Sequence, residues 1–191
     1  IVRIGSLAGA TAARRIDASG LIVSPGFVDP HAHARERLFE LPTAEGYLLQ
    51  GITTVVDGND GSSPLPLAPY LEKAEAAHFS PNLALFVGHG TIREQVMGTA
   101  NRRASPAELD RMKALVAQAM RDGALGFSTS RTLNHRTVKG DPTPSLRASE
   151  EELLGIALGM KDAGRGVIEF ISDFNTPNPE SEFEMLDRLL T

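Results

Sequence analysis

The sequence contains no cysteine. Disulfides and thiolate metal sites are therefore excluded, and any transition metal must be held by His, Asp, Glu or a modified lysine. Long apolar runs are also missing: no stretch approaches the roughly 18 residues that span a bilayer. The first residues lack the basic-then-apolar signature of a signal peptide. Together these absences lead to the expectation of a soluble, cytoplasmic protein with no membrane partner. Nor is there a long block of one charge. Nineteen Lys and Arg against 24 Asp and Glu give a net charge of −5, spread along the chain, so the electrostatic footprint of a nucleic-acid binder is absent. No internal repeat and no low-complexity tract is found.

What is present suits one ordinary core: 191 residues, 41% of them hydrophobic. Short apolar runs of strand length recur at "GFVD" (26–29), "ITTVVD" (52–57), "LALFV" (83–87), "ALGF" (124–127) and "GVIEFI" (166–171). Segments of helical periodicity separate them, and this alternation predicts an α/β protein of βα units wound into a parallel sheet. Two helices announce their starts. "SPAE" places Ser105 as N-cap, Pro106 at the first helical position and Glu108 at N3, ahead of Leu109, Met112, Val116 and Ala119 on one face. "SEEE" repeats the device with Ser149 and Glu152, and that helix runs out near Gly164 and Gly166.

Residues 1–24 read differently, as short antiparallel strands with turns at Gly9 and Ser19-Gly20, a β element preceding the βα array in residues 25–191. The chain opens on Ile1, and at its other end Phe183, Leu186, Leu189 and Leu190 still follow a helical spacing. Five βα strands are visible, whereas a closed eight-stranded barrel takes about 250 residues. The expectation is a chain cut at both ends, the alternative being an open, complete sheet. The loops at 58–69 and 131–147 follow strands, where binding residues gather in such sheets.

The candidate chemistry begins at "VDPHAH". Residues two apart in extended chain point to one face, so His31 and His33 project together from the end of the first strand, with Cα atoms roughly 6.6 Å apart. Two imidazoles so placed can converge on one zinc ion, which accepts histidine nitrogen at about 2.0–2.1 Å. The competing reading is two solvated loop histidines. His89 lies between Gly88 and Gly90, which permit close backbone approach of a ligand; it is either a substrate-pocket donor or a loop histidine bonding local carbonyls. Arg131, His135 and Arg136 follow strand four, where cationic donors can hold a substrate carboxylate. Ser128 and Thr129 can donate hydrogen bonds to substrate, without a His–Asp pairing that would suggest a serine nucleophile. His78 reads as a surface residue.

"SGLIVSPGFVDPHAH" resembles the first barrel strand of the amidohydrolase superfamily. "GITTVVDGNDG", "FVGHGTIREQVMG" and "GALGFSTSRTLNHR" are similar to its D-aminoacylase (N-acyl-D-amino-acid deacylase) branch, in the same order and over nearly the whole chain. The resemblance implies a TIM-type (β/α)₈ barrel, of which this chain carries about the first five βα units, joined to a small β-sandwich begun by residues 1–24. It implies one or two divalent ions, zinc or another metal, at the C-terminal mouth. His31 and His33 match the family's metal-binding pair. Asp60 stands where the branch has a metal-binding cysteine, and its competing reading is an ordinary Asn-Asp-Gly turn residue. The branch's strand-five histidine has no counterpart in "VIEFISDF", which offers Glu169, Ser172 and Asp173. The strand-six histidine and the general-base aspartate of the family pattern are expected beyond Thr191.

The function so implied is hydrolysis of a C–N amide bond in a small N-acyl amino acid, a metal-activated water attacking the carbonyl. His89, Ser128, Arg131 and His135 are the candidate substrate contacts. The alternatives are a cyclic-amide hydrolase or deaminase of the same superfamily, or a non-catalytic, degenerate barrel fragment. An uncovered half-barrel is expected to need a partner, either further chain or a second copy.

Overall fold

The apolar runs form strands in the expected order. The computed structural model describes residues 2–137, 139–173, 178 and 180–190. In it, β1 (Phe27–Asp29), β2 (Ile52–Asp57), β3 (Asn82–Gly88), β4 (Gly126–Ser130) and β5 (Val167–Ile171) lie side by side in sequence order, every pairing parallel. Parallel neighbours require crossover connections. Here these are α1 (Arg37–Glu40) and α2 (Glu45–Leu48) before β2, α3 (Leu67–Ala77) before β3, α4 (His89–Met97) and α5 (Pro106–Asp122) before β4, and α6 (Glu150–Lys161) before β5; α7 (Glu180–Leu190) follows β5.

The core lies between the sheet and these helices. Leu85 and Val87, alternate residues of β3, pack with Phe127 of β4 against Ile92, Met112 and Val116. All six are essentially inaccessible, and burying side chains of this size stabilises by about 1.5–3 kcal/mol each. The α5 start is as expected: the Ser105 N–H donates to Glu108 Oε2 at 2.7 Å in a capping box behind Pro106. At α6 only half of the device forms. Ser149 Oγ accepts from the Glu152 N–H at 3.3 Å, while the Glu152 side chain turns inward.

Two expectations need correction. The fourth strand runs over 126–130 rather than 124–127. Ala124 closes the end of α5, its N–H bonded to Ala119 O at 2.9 Å, and the polar "STS" run that follows is strand, every residue of it buried. Residues 2–24 form the turns at Ala8-Gly9 and Ser19-Gly20 but no strand. Val2, Ile4, Ile16, Ile22 and Val23 are exposed there, and a strand pair with no surface on which to bury its apolar face is marginal in water. The edges β1 and β5 expose Phe27, Val28 and Val167. No helix among the described residues is long and apolar enough to cross a membrane.

Candidate metal centre

The β1 strand ends at Asp29, yet its alternation continues. Ala32 and Ala34 are buried while His31 and His33 are exposed, and the Ala32 N–H still donates to Val56 O of β2 at 2.8 Å. The histidines therefore share one side, with ring centroids 5.2 Å apart and planes at 75°. Asp57, the last residue of β2, holds this stretch extended. Its fully buried carboxylate accepts the N–H groups of Ala34 (2.6 Å) and Arg35 (2.8 Å) on Oδ2 and the Arg35 guanidinium (2.6 Å) on Oδ1.

The turn after β2 brings the third donor. Asp60 sits in the left-handed region at φ 57°, a conformation that Asp tolerates better than most residues. Two interactions fix this turn from β4: Ser128 Oγ donates to Gly58 O and accepts the Gly61 N–H at 3.0 Å. Asp60 Oδ2 then lies 3.4 Å from His31 Nε2 and 3.1 Å from His33 Nε2. One ligand atom from each of the three residues lies within 4.8 Å of the other two.

From β5, Glu169 reaches the same place. Its Oε2 accepts the Asp60 N–H at 3.1 Å, and its Oε1 is 3.6 Å from His31 Nδ1. Burial pushes the Glu169 carboxyl up to about 6, opposed by the Asp60 N–H, reinforced by the Asp60 charge and opposed again by His31. Asp60 Oδ1 and Glu169 Oε1 are buried with no hydrogen-bond partner. Buried carboxylate oxygens left unpartnered are costly in a closed protein interior. Two imidazole nitrogens and carboxylate oxygen around such atoms form a donor set that suits zinc or a similar divalent ion. The residues present fit a metal.

A model of the amidohydrolase family matches residues 14–189. The chain belongs to this family. It is 31% identical over 207 residues to a D-aminoacylase of Alcaligenes xylosoxydans xylosoxydans, a match covering 91% of this chain and 41% of that protein. Among solved structures, a D-aminoacylase studied for its binuclear metal centre superposes with a TM-score of 0.83 at 32% identity, over 99% of this chain and 43% of that one. The N-acyl-D-glutamate deacylase of Bordetella bronchiseptica, complexed with zinc and a phosphonate inhibitor, gives 0.82 at 29% identity, over 98% and 42%. This amidohydrolase chain thus spans about two fifths of the length of these relatives, and its five strands form a parallel half-barrel sheet similar to theirs.

The candidate substrate contacts make hydrogen bonds within the protein. His89 has no exposed surface, and both ring nitrogens are engaged, Nδ1 with Thr129 Oγ1 and Nε2 with Glu152 Oε1, each at 2.8 Å. The glycines beside it admit the protein's own turn, since a Cβ on Gly88 would lie 2.5 Å from the Gly61 carbonyl carbon. Ser128 is buried and spends both hydroxyl roles on the turn that carries Asp60. Arg131 forks onto Glu182 of α7, Nε to Oε2 at 2.8 Å and Nη2 to Oε1 at 3.1 Å. His135 Nδ1 meets Ser130 Oγ at 2.7 Å. Arg136 and His78 are exposed.

Sequence reasoning gave no site role to Asp57 or Glu152, and named Glu169 only as one of three residues strand five offers in place of a histidine. Asp57 was readable as an acid closing an apolar strand, a position where a charge needs partners. The contact of Glu169 with Asp60 crosses 109 positions and has no local sign. Glu152 has the local sign of a cap residue, yet its carboxylate accepts from both His89 and Arg93, the latter at 2.5 Å with neither side chain exposed by more than 1%.

Proposed function

We propose that this chain belongs to a metal-dependent hydrolase of carbon–nitrogen bonds other than peptide bonds, of the N-acyl-D-amino-acid deacylase kind. The observation that carries the reading is the convergence of His31 Nε2, His33 Nε2 and Asp60 Oδ2 around buried, unpartnered carboxylate oxygen. These donors gather beyond the C-terminal ends of parallel strands, where such sheets hold their ligands. The named deacylase relatives supply the substrate class, a small N-acyl amino acid.

In this reading His31, His33 and Asp60 hold one or two divalent ions. When bound, such an ion supplies Lewis acidity toward a carbonyl oxygen and toward the water consumed in hydrolysis. The protein's own groups do the rest. Asp57 keeps the two histidines on one side, and Ser128 anchors the turn that aims Asp60. The activity is proposed for the whole protein, with residues 25–191 as the first part of its barrel and residues 1–24 as a strip of β-sandwich completed elsewhere. The bare apolar side chains of that strip support this division. The same exposed surface supports a covering partner, further chain or a second copy, and the lack of cysteine accords with a cytoplasmic setting.

Metal analysis of the purified protein beside His31→Ala tests the reading, together with hydrolysis of N-acetyl-D- and N-acetyl-L-amino acids by the whole protein. Near-stoichiometric zinc that is lost in the variant, with release of the free D-amino acid, is expected. Less than about a tenth of an equivalent, unchanged by the substitution, would overturn it.

A further inference from the structure

We infer that Glu169 is the positioning residue of the metal centre, a carboxylate that holds the backbone of Asp60 while standing outside the ligand set. The inference rests on the metal-centre reading above and assigns a role to the residue that strand five offers in place of a histidine.

The geometry separates two roles that a nearby carboxylate can take. The atoms that face one another across the centre are His31 Nε2, His33 Nε2 and Asp60 Oδ2. Among the described residues, the set with ligand atoms mutually within 4.8 Å is these three, without Glu169. Glu169 Oε1 lies instead on the other nitrogen of His31, 3.6 Å from Nδ1. That separation exceeds a hydrogen bond, so Glu169 bounds the far side of the His31 ring without bonding to it.

Its second oxygen works on the other wall. Glu169 Oε2 accepts the N–H of Asp60 at 3.1 Å, at the one residue of the turn that is left-handed without being glycine. That bond holds the conformation that presents the Asp60 carboxylate. The carboxylate comes from β5, whose register sets Glu169 opposite Ser128 of β4, the residue that anchors the same turn from the side. Ligand-orienting carboxylates of this kind are worth about 10- to 100-fold in metal affinity.

The test uses Glu169→Gln and Glu169→Leu in the full protein. A carboxamide oxygen still accepts the Asp60 N–H, whereas Leu accepts nothing. Zn²⁺ affinity is measured by chelator competition, Co²⁺ binding by its visible absorption, and the Asp60 N–H by its amide ¹H shift. The expected result is about a 10- to 100-fold weaker Zn²⁺ in Leu and a smaller loss in Gln, at unchanged stoichiometry and with the Co²⁺ band shape preserved. The Asp60 amide resonance should move in Leu and stay near its wild-type position in Gln. A Co²⁺ spectrum of lower coordination number or a lost equivalent would make Glu169 a ligand and overturn the inference. So would unchanged affinity and an unmoved Asp60 amide resonance in Leu, with wild-type binding intact. If the wild type binds no Zn²⁺, this inference and the metal-centre reading fall together.

Discussion

Gly88 lies directly beneath Gly61: a Cβ on Gly88 would stand 2.5 Å from the Gly61 carbonyl carbon and oxygen, both backbone atoms. The Gly-His-Gly at the end of β3 is therefore a seat for the turn that carries Asp60. Gly88→Ala must push that turn away from the sheet, since backbone cannot swing aside as a side-chain tip can. Overpacking of this kind costs about 1–3 kcal/mol. We expect a lower urea midpoint together with weaker Zn²⁺ binding; a variant with normal metal affinity would show that the turn is not held from below.

Asp60 joins an unusual backbone to a ligand role, and two substitutions pull these apart. Asp60→Gly suits the positive φ and should leave thermal stability unchanged or raised. Asp60→Asn keeps the side-chain shape and loses the charge. Both should weaken Zn²⁺ beyond the roughly 10- to 100-fold expected of an outer-shell group. Calorimetric titration decides it, and retained affinity in either variant would return Asp60 to an ordinary turn residue.

Arg93 and Glu152 are buried together, with the Glu152 carboxylate also bonded to His89. Arg93→Met keeps much of the volume but leaves that carboxylate without its cation. Breaking such a pair from one side costs about 3–5 kcal/mol. Equilibrium urea unfolding should report a loss of this size with an unchanged slope.

His89 supplies a pH dependence that is separable from the metal centre. Burial holds its imidazole below the ordinary value of 6.5; the hydrogen bond and charge of Glu152 oppose this, and the charges of Arg93 and Arg131 assist it. Below pH 6.5 the unfolded chain gains a proton at His89 that the folded chain refuses, so stability falls as pH drops through that value. Glu152, whose burial is outweighed by His89 and Arg93, is held below its ordinary 4.5, so its contribution is lost only as pH falls beneath that. Urea midpoints at pH 7.5 and 5.5 should therefore differ in the wild type, and differ less in His89→Gln. Equal differences in the two proteins would show that His89 is not the group responsible.

Much of the fold was legible because it is governed by short-range rules. Apolar runs of strand length with helical segments between them predicted five parallel strands in chain order, and Ser105 and Ser149 marked helix starts that the backbone adopts. His31 and His33 were legible for the same reason, since alternation in extended chain depends on adjacent peptides alone. Asp60 emerged from resemblance to the amidohydrolase pattern rather than from its turn chemistry. His89 and Ser128, expected as substrate contacts because a polar residue at a strand end suggests the mouth, are buried with their hydrogen bonds made inside the protein.

Residue order along the chain was enough to establish the βα succession and the pair of imidazoles, because both follow from periodicities of two and 3.6 residues. Packing in three dimensions was needed to seat Gly61 on Gly88, turn Glu152 inward, and bring Glu169 to His31 and Asp60. Those contacts join strands that are neighbours in the sheet but distant in sequence, and no local preference of the chain encodes where a neighbouring strand's carboxylate will arrive.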